Sequence, residues 1–385
     1  MDIEITILMP CLNEEETIER CIKKAQAWIK ASGVECEILI ADNGSTDRSV
    51  FLAKQMGARV ITVTDKGYGN ALYFGCMAAN GKFIIMGDAD DSYDFSALTS
   101  FLEAYKLGAD FVIGNRFKGG LEIGAMPWKN RVLGNPILSW LGRVLFKTGV
   151  GDFHCGLRGI TKATFLDLEL QTTGMEFASE MVIKAVLKQK SISEVPIKLY
   201  ADGRSRPPHL RPWRDGWRHL KFMLLYSPRW LFFFPGLAVF LACLFLYILT
   251  YLDFANYAGI RLSFHSLVFF QAGIIVGLVL IYLSVIMECL AVEKRLLPAN
   301  RHLSQLYEWF SPDGGLIVGL MVALLGLLGG ISAFNDWSEL GFSKVLGEEL
   351  IYRASLATLL GSLGVLLCIF SLLIGFINLA TRTKR

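Results

Sequence analysis

Asp88-Ala89-Asp90-Asp91 follows directly on the apolar run Phe83-Ile84-Ile85-Met86-Gly87. A run this short and this apolar suits a fully buried strand. Open α/β sheets present their ligand-binding residues at the carboxyl ends of such strands. Asp88 and Asp90 are hard oxygen donors at alternate positions, suited to Mg2+ or Mn2+ bridging a diphosphate. The same residues also suit an acidic turn that caps a helix over residues 95–107, so the motif takes its meaning from its surroundings.

Two other segments carry polar groups in comparable places, so that three loops would converge on one edge. Met9-Pro10-Cys11-Leu12-Asn13-Glu14 follows a first apolar run, and Asp42-Asn43-Gly44-Ser45-Thr46-Asp47 follows a second. Asp42 or Asp47 suits hydrogen bonds from a base or ribose, and Gly44 lets the backbone approach closely; a plain turn with Asp47 as cap fits as well. Lys66-Gly67-Tyr68-Gly69-Asn70 precedes a helix, where glycines and backbone amides can meet phosphate. Arg116, Lys118, Lys129 and Arg131 surround a glycine-rich stretch that includes Met126-Pro127-Trp128. Guanidinium groups bind phosphate in pairs of hydrogen bonds, and an adjacent aromatic suits a membrane interface. Further on, Glu176 and Glu180 share a helix face by their spacing, and with Asp152 they are candidates to contact sugar hydroxyls. His154 fits a structural histidine better than a metal ligand.

The elements that must position these residues alternate regularly. Strand-like runs at 3–9, 36–41, 59–63 and 83–87 are interleaved with helical patterns at 15–31, 47–56 and 69–79, which predicts βαβ units and a mostly parallel sheet. The chain is 385 residues long, 53% apolar and 19% charged, with the apolar excess confined to its second half. Stretches at 231–252, 266–287, 316–334 and 356–380 each approach the roughly 20 residues that a membrane-crossing helix needs. Four transmembrane helices are therefore expected after a soluble domain of residues 1–205. Residues 204–230 mix Arg206, His209, Arg211, Arg214, Arg218 and Lys221 with Trp213, Trp217 and Trp230, the composition of basic interfacial helices lying on anionic lipid. The boundaries expected are 1–205, 206–230 and 231–385.

No signal peptide is expected, since charged residues lead directly into the first strand. Lys294, Arg295 and Arg301 in the second loop and Arg382, Lys384 and Arg385 in the tail, against Arg261 alone in the first loop, place both termini in the cytoplasm. The third loop weakens that bias, because its Lys344 and Arg353 lie beside four acidic residues. Eight scattered cysteines form no C-x-x-C pair, which argues against a zinc ribbon or a disulfide framework. A formal charge of +3 gives no reason to expect nucleic acid as a partner.

With these motifs in order, the chain resembles the family 2 glycosyltransferases of the GT-A fold, specifically the polyprenyl-phosphate glycosyltransferases. The resemblance spans residues 3–206 and rests on Pro10 with Asn13-Glu14-Glu15, Asp42 to Asp47, Gly67 to Leu72, Asp88-Ala89-Asp90, Gly114-Asn115-Arg116 and Cys155-Gly156-Leu157-Arg158. It implies an α/β GT-A catalytic domain, with a mostly parallel sheet, ahead of the helical membrane domain of four helices that the apolar stretches predict. It also implies that Pro10, Asn13, Glu14, Asp42, Gly44, Lys66, Gly67, Asp88 and Ala89 bind the donor nucleotide, and that Asp88 and Asp90 hold the metal. Arg116 and Arg131 match the positions that hold the lipid phosphate, and Gly203-Arg204-Ser205-Arg206 resembles a closing G-x-S-K motif. Arg206 retains the cation without the lysine geometry. Asn43 stands where an aspartate is common, and Tyr200 where an arginine often precedes the closing motif.

The reaction implied moves a hexosyl unit from a UDP-glucose-like or GDP-mannose-like donor to a polyprenyl phosphate, with inversion. Asp90, Arg116 and Arg131 would be catalytic. A phosphate monoester has a second pKa of about 6, so the acceptor is already largely ionised and no strong general base is required. Two rivals are a processive polysaccharide synthase and a nonenzymatic lipid-carrier scaffold that senses nucleotide. The first is disfavoured by the lack of glutamine in Tyr226-Ser227-Pro228-Arg229-Trp230, the nearest approach to Q-x-x-R-W, and the second by the intact Asp88, Asp90, Arg116 and Arg131. Anchoring, homo-oligomerisation and carrier handling all remain roles for the four helices.

Overall fold

In the computed structural model, residues 3–205, 212–252, 262–294, 297, 312–343 and 347–382 are described. Contacts divide the chain into two units, Met1–Leu225 and Tyr226–Arg385.

The first unit is built on a seven-stranded sheet with the order β3-β2-β1-β4-β6-β5-β7. Its strands are β1 (Ile5–Cys11), β2 (Cys36–Asp42), β3 (Arg59–Thr62), β4 (Phe83–Met86), β5 (Phe111–Asn115), β6 (Arg158–Thr161) and β7 (Ile192–Pro196). β1 pairs in parallel with β2 and β4, β2 with β3, and β5 with β7; β6 alone runs antiparallel, between β4 and β5. The expected, mostly parallel sheet is therefore present. Because β6 is antiparallel to both of its neighbours, β4 and β5 point the same way. Six strands thus end at one edge, and β6 begins there at Arg158. That single geometric fact gathers the segments after residues 11, 42, 62, 86, 115 and 196.

β1 and β4 are buried almost throughout, as central parallel strands covered on both faces must be. Helices α1 (Ile18–Ser32), α2 (Ser49–Gln55), α3 (Tyr68–Ala78), α4 (Thr99–Lys106), α6 (Asn135–Phe146), α7 (Lys162–Leu168) and α8 (Phe177–Leu187) cover the sheet, with a single turn, α5 (Arg116–Gly119), after β5. Phe83, Phe95, Phe101, Phe111, Phe153, Phe165 and Phe177 are fully buried, each contributing on the order of 1.5–3 kcal/mol by leaving water. The helix expected over 95–107 is shorter, because Asp94 first turns the chain by accepting from the Ser96 amide and hydroxyl. α9 (Pro212–Leu225) belongs to this unit by its contacts.

The second unit holds four helices long and apolar enough to cross a membrane: Arg229–Tyr251, His265–Glu293, Asp313–Glu339 and Glu348–Ile377. Their count matches the sequence expectation, and each is longer or shifted by a few residues. Arg206 lies outside the described residues, as do Arg295, Arg301, Lys384 and Arg385, which favoured cytoplasmic termini, and Arg261 and Lys344 of the opposing loops.

Small residues set the packing in this unit, as expected where apolar surface alone gives no drive to associate. A Cβ on Gly236 of the first span would meet the carbonyl of Gly277 of the second at 2.9 Å, and one on Gly277 would meet the Phe240 nitrogen at 2.6 Å. In the third and fourth spans, Gly319, Gly326 and Gly364 face backbone in the same way. Polar groups between spans are paired: Arg229 donates to Glu288 at 3.0 Å, and Tyr247, Ser355 and Gln271 form one hydrogen-bonded cluster.

Gly364→Val should wedge the third and fourth spans apart, because the added atoms would meet backbone rather than a movable side chain. A loss of about 1–3 kcal/mol, read as a lowered thermal midpoint in detergent, is expected; an unchanged midpoint would contradict this packing.

Candidate active site

Extending the pairing of Leu8 with Met86 places Asp88 level with Pro10 across the sheet edge. The two segments are joined there, since Thr17 donates to the Ala89 carbonyl at 2.7 Å. A cavity of about 370 Å³ opens at this point, and its lining includes Pro10, Cys11, Glu14, Asn43, Lys66, Gly67, Tyr68, Asp88, Ala89, Asp90, Met175 and Arg204.

Negative charge dominates its floor. Burial, and then the neighbouring Asp90 charge, push the Asp88 carboxyl up to about 7, although Tyr68 donates to it at 2.9 Å. The Tyr68 hydroxyl is in turn raised by burial and by Asp88, so it stays a protonated donor. Asp90 accepts from the Ser92 amide and hydroxyl, and Arg204 bridges Asp90 at 2.8 Å and Glu14 at 3.1 Å. Cys11 reaches the cavity too, but burial raises its thiol to about 11, which makes it a neutral wall at pH 7.

The donor set fits a divalent ion. Among the described residues no group of three or more His, Cys, Asp and Glu side chains is placed to hold a metal, whereas Mg2+ and Mn2+ are commonly held by one or two carboxylates plus substrate phosphate and water. Asp88 and Asp90 supply two carboxylates, of which Asp90 is paired with Arg204 and Asp88 accepts only from Tyr68 among the contacts described.

Several expected donor residues stand behind the wall instead of in it. Asp42 accepts from the Gly44 and Ser45 amides, while Asn13, in a left-handed conformation with φ 60°, accepts from the Thr46 amide at 2.7 Å. Lys66 crosses Gly44 to reach the Asn43 carbonyl at 2.8 Å, and the φ of 92° at Gly44 is the conformation that favours glycine there. Asn43 explains its own departure from aspartate: its amide nitrogen donates to the carbonyl of Asp65 and its oxygen accepts from the Gly67 amide, both at 2.8 Å. A carboxylate could not donate. At Gly67, φ is 139° and a Cβ would strike the Thr173 carbonyl, so this close approach requires glycine.

The acceptor candidates are spread more widely. Arg116, at the end of β5, is buried against Asp152, whose carboxylate takes Nε and Nη2 at 2.7 Å each. Burial works against this guanidinium's charge, but the Asp152 pair raises its pKa. Arg131 lies in an exposed π-helical turn, Asn130–Gly134, and does not line the cavity. Arg206 is outside the described residues.

Of the three sugar-binding candidates, two are committed within the protein. Asp152 holds Arg116, and Glu180 is fully buried, ion-paired with Lys184 at 2.8 Å and bonded to the Gln171 and Thr172 amides. Their shared feature is a lack of exposure that helix spacing could not reveal. Glu176 differs: one of its carboxylate oxygens is buried with no hydrogen-bond partner among the described residues, and it adjoins Met175 of the cavity wall.

With this geometry established, the comparisons with known proteins are decisive. Residues 6–167 match the family model described as Glycosyl transferase family 2, and residues 285–378 match the Glycosyltransferase family 2 C-terminal transmembrane region. A protein of Haloferax volcanii, the low-salt glycan biosynthesis hexosyltransferase Agl6, is 33% identical over 94% of this chain and 89% of its own length. The chain belongs to glycosyltransferase family 2. A dolichyl-phosphate hexose transferase of the same organism is 31% identical over 50% of this chain and 82% of its own length. Among solved structures, the glucosyl-3-phosphoglycerate synthase of Mycobacterium tuberculosis is 21% identical, with a TM-score of 0.48, over 58% of this chain and 79% of that one. The α/β unit is the GT-A domain of a membrane-embedded family 2 glycosyltransferase.

Some residues of this GT-A site escaped the motif reading. Tyr68 lay inside a quoted motif but carried no role, and Arg204 was noted only as part of a closing segment. That segment is tied across the cavity by Gly203 donating to the Asp90 carbonyl at 3.0 Å and Ser205 donating to Glu16. Arg158 proves structural, its guanidinium donating to the carbonyls of Cys155, Phe153 and Ala178 and so fixing the loop that carries Asp152.

His154 is structural too. Its ring meets His219 of α9 edge-on, with centroids 4.6 Å apart, and Ser179 lies within hydrogen-bond distance of both rings. Burial, then the neighbouring His219, push His154 well below its usual value; burial, then Arg158, push His219 down to about 4.

Two outcomes are expected. Asn43→Asp removes two donor contacts and sets a carboxylate against carbonyl oxygens, costing about 1–3 kcal/mol and weakening nucleotide binding measured by calorimetry; Asn43→Gln at wild-type affinity would argue against the geometry. For the histidines, the unfolded chain takes up protons below about pH 6.5 while folded His219 resists until about 4. Stability is therefore full above pH 6.5 and falls with acidification across that window, by about 3 kcal/mol for this residue. The thermal midpoint should drop between pH 7 and 5 in the wild type and less in His219→Gln; equal slopes would remove the pair from the account.

Proposed function

We propose that this enzyme transfers a hexosyl unit from a nucleoside-diphosphate sugar to a polyprenyl phosphate at the cytoplasmic membrane face, with inversion at the anomeric carbon. The carrying observation is the cavity at the strand ends, whose lining holds Asp88 and Asp90 together with Lys66 and Arg204. That pattern suits a diphosphate: cations for its oxygens, and carboxylates for an ion between them. The relatives named as a hexosyltransferase and a dolichyl-phosphate hexose transferase support the same donor unit and acceptor class.

Asp88 and Asp90 would hold Mg2+ or Mn2+, which when bound offsets the charge of the departing diphosphate. Lys66 and Arg204 add positive charge on the same oxygens, while Asn43 and Gly67 hold the donor loop in place. An oxygen of the carrier phosphate, already ionised at neutral pH, attacks the anomeric carbon. The new C–O bond forms as the bond to the nucleoside diphosphate breaks, and its electron pair leaves with that diphosphate. Arg116, oriented by Asp152, and Arg131 fix the attacking phosphate. Glu176 would accept from a sugar hydroxyl, a role supported by its buried oxygen that has no hydrogen-bond partner among the described residues.

The test incubates the full-length protein in nanodiscs with Mg2+ or Mn2+, undecaprenyl or dolichyl phosphate, and radiolabelled UDP- and GDP-hexoses. Label in a mild-acid-labile lipid is expected. Asp90→Asn should lower kcat/KM by about 100-fold or more, Arg131→Ala should raise KM for the carrier, and Glu176→Gln should reduce kcat without weakening nucleoside diphosphate binding. Nucleotide binding with no lipid product would favour the scaffold reading, and a long water-soluble polymer the processive synthase.

A further inference from the structure

The first turn of α3 presents amides that its own helix cannot satisfy. Gly67 precedes that turn and has no side chain to bond them. By sequence these amides could meet phosphate, but the protein itself takes them: the Thr173 carbonyl accepts from Gly69 at 3.0 Å and from Asn70 at 3.3 Å. Glycine permits the approach, since a Cβ on Gly69 would lie 2.7 Å from the Thr172 carbonyl and one on Gly67 would strike that of Thr173. At the far end of α3, the Lys162 ammonium donates to the carbonyls of Cys76, Met77 and Ala79. Both ends of the helix that begins at Tyr68 are thus held from the stretch 162–173.

The docking carbonyl belongs to a segment without regular structure, residues 171–173. One buried carboxylate fixes that segment. Glu180 of α8 accepts from the Gln171 amide at 3.0 Å, from the Thr172 amide at 2.8 Å and from the Thr172 hydroxyl at 2.7 Å. Lys184, one turn further on, pairs with it at 2.8 Å and donates to the Glu169 carbonyl at 2.6 Å.

Burying an ion pair costs desolvation that apolar side chains of the same size avoid, so stability alone is a weak reason for this arrangement. Charge-assisted hydrogen bonds, in contrast, impose geometry. From Thr172 the chain runs to Thr173, to Met175 in the cavity wall and to Glu176 with its unpartnered oxygen. Across the Thr173 contact, Tyr68 donates to Asp88 and Lys66 lines the same cavity. The Glu180 carboxylate stands behind both walls and is not part of the lining.

We propose that Glu180 is a positioning residue for donor binding. Held by Lys184, it fixes Gln171 and Thr172 so that the Thr173 carbonyl docks the first turn of α3. That contact sets where Lys66, Tyr68 and Glu176 stand around one ligand. The consequence for the ligand rests on reading the cavity as a nucleoside-diphosphate-sugar site; the docking itself does not.

The test uses full-length protein in nanodiscs. Thr172→Val removes the one side-chain donor to Glu180, Thr172→Ser restores it, and Glu180→Gln with Lys184→Met removes both charges together. Phe101→Leu, in the core and outside the cavity lining, is the control for destabilisation alone. Amide exchange without ligand, read by mass spectrometry over residues 66–72, is expected to quicken about tenfold in Thr172→Val, as for one lost hydrogen bond to a charged group. The double variant should exchange faster still, and Thr172→Ser at the wild-type rate. Affinity for UDP or GDP with Mn2+, measured by calorimetry, should fall by a similar factor, and KM for the donor should rise while kcat at saturating donor and KM for the carrier hold. Unchanged exchange over 66–72 in Thr172→Val would overturn the proposal, as would an equal loss of affinity in Phe101→Leu. Should the double variant fail to fold, the two Thr172 variants decide. Wild-type protein that binds neither nucleotide would count against the transferase reading, while the exchange data still decide the docking.

Discussion

Crowded negative charge at the end of β4 is the constraint around which the catalytic unit is organised. Half-buried Asp88 and Asp90 and buried Glu14 line one cavity, and desolvation makes such a cluster unfavourable unless cations or donors compensate it. Each surrounding element supplies part of that compensation: Tyr68 from the start of α3, Ser92 from the turn after β4, and Arg204 from the segment after β7. The last of these bridges Asp90 and Glu14 at once, so the segment over the cavity is held largely by the charge it neutralises. A nucleoside diphosphate brings further negative charge into the same space. The site is consistent with that ligand only if a cation accompanies it, as the two-carboxylate donor set provides.

The sheet topology converts separate sequence motifs into one cavity. Parallel strands place their carboxyl ends together regardless of how far apart they lie in the chain, so Pro10, Asp88 and Arg204 become neighbours across 194 residues of sequence. Alternating short apolar runs and helical patterns made the sheet, its mostly parallel sense and the acidic edge legible from sequence. Four long apolar stretches likewise foretold the spans. What sequence could not supply was side-chain direction. Glu176 and Glu180 look equivalent by spacing, yet one turns into the interior beside Lys184 and the other keeps an unpartnered oxygen near the cavity. Tyr68 and Arg204 gain their roles only from contacts 20 and 114 residues away.

Asn43 shows how a departure from a motif can be a local requirement. Among side chains of this size only an amide both donates to the Asp65 carbonyl and accepts from the Gly67 amide. The residue therefore determines where Lys66 and Gly67 stand, and it influences the donor site through the backbone. Asp42 and Asn13 act in the same indirect way, capping the loop between β2 and α2. A motif can thus mark the donor site correctly while its residues differ in kind, some forming the wall and others holding the wall in place.

Charge also constrains the acceptor side. Arg116 is buried at the end of β5, but the Asp152 carboxylate takes its Nε and Nη2 and cancels its charge. A neutral pair of this kind orients a phosphate through its remaining N–H groups without balancing a dianion. Lys118 is likewise paired, with Glu194 at 3.0 Å. The balance must then come from cations with no acidic neighbour in sequence, and between 123 and 134 those are Lys129 and Arg131. Both lie on the exposed turn beside Trp128. In the proposed reaction the roles would divide: a neutralised arginine would set direction from the sheet edge, and exposed cations would supply charge where a lipid phosphate arrives.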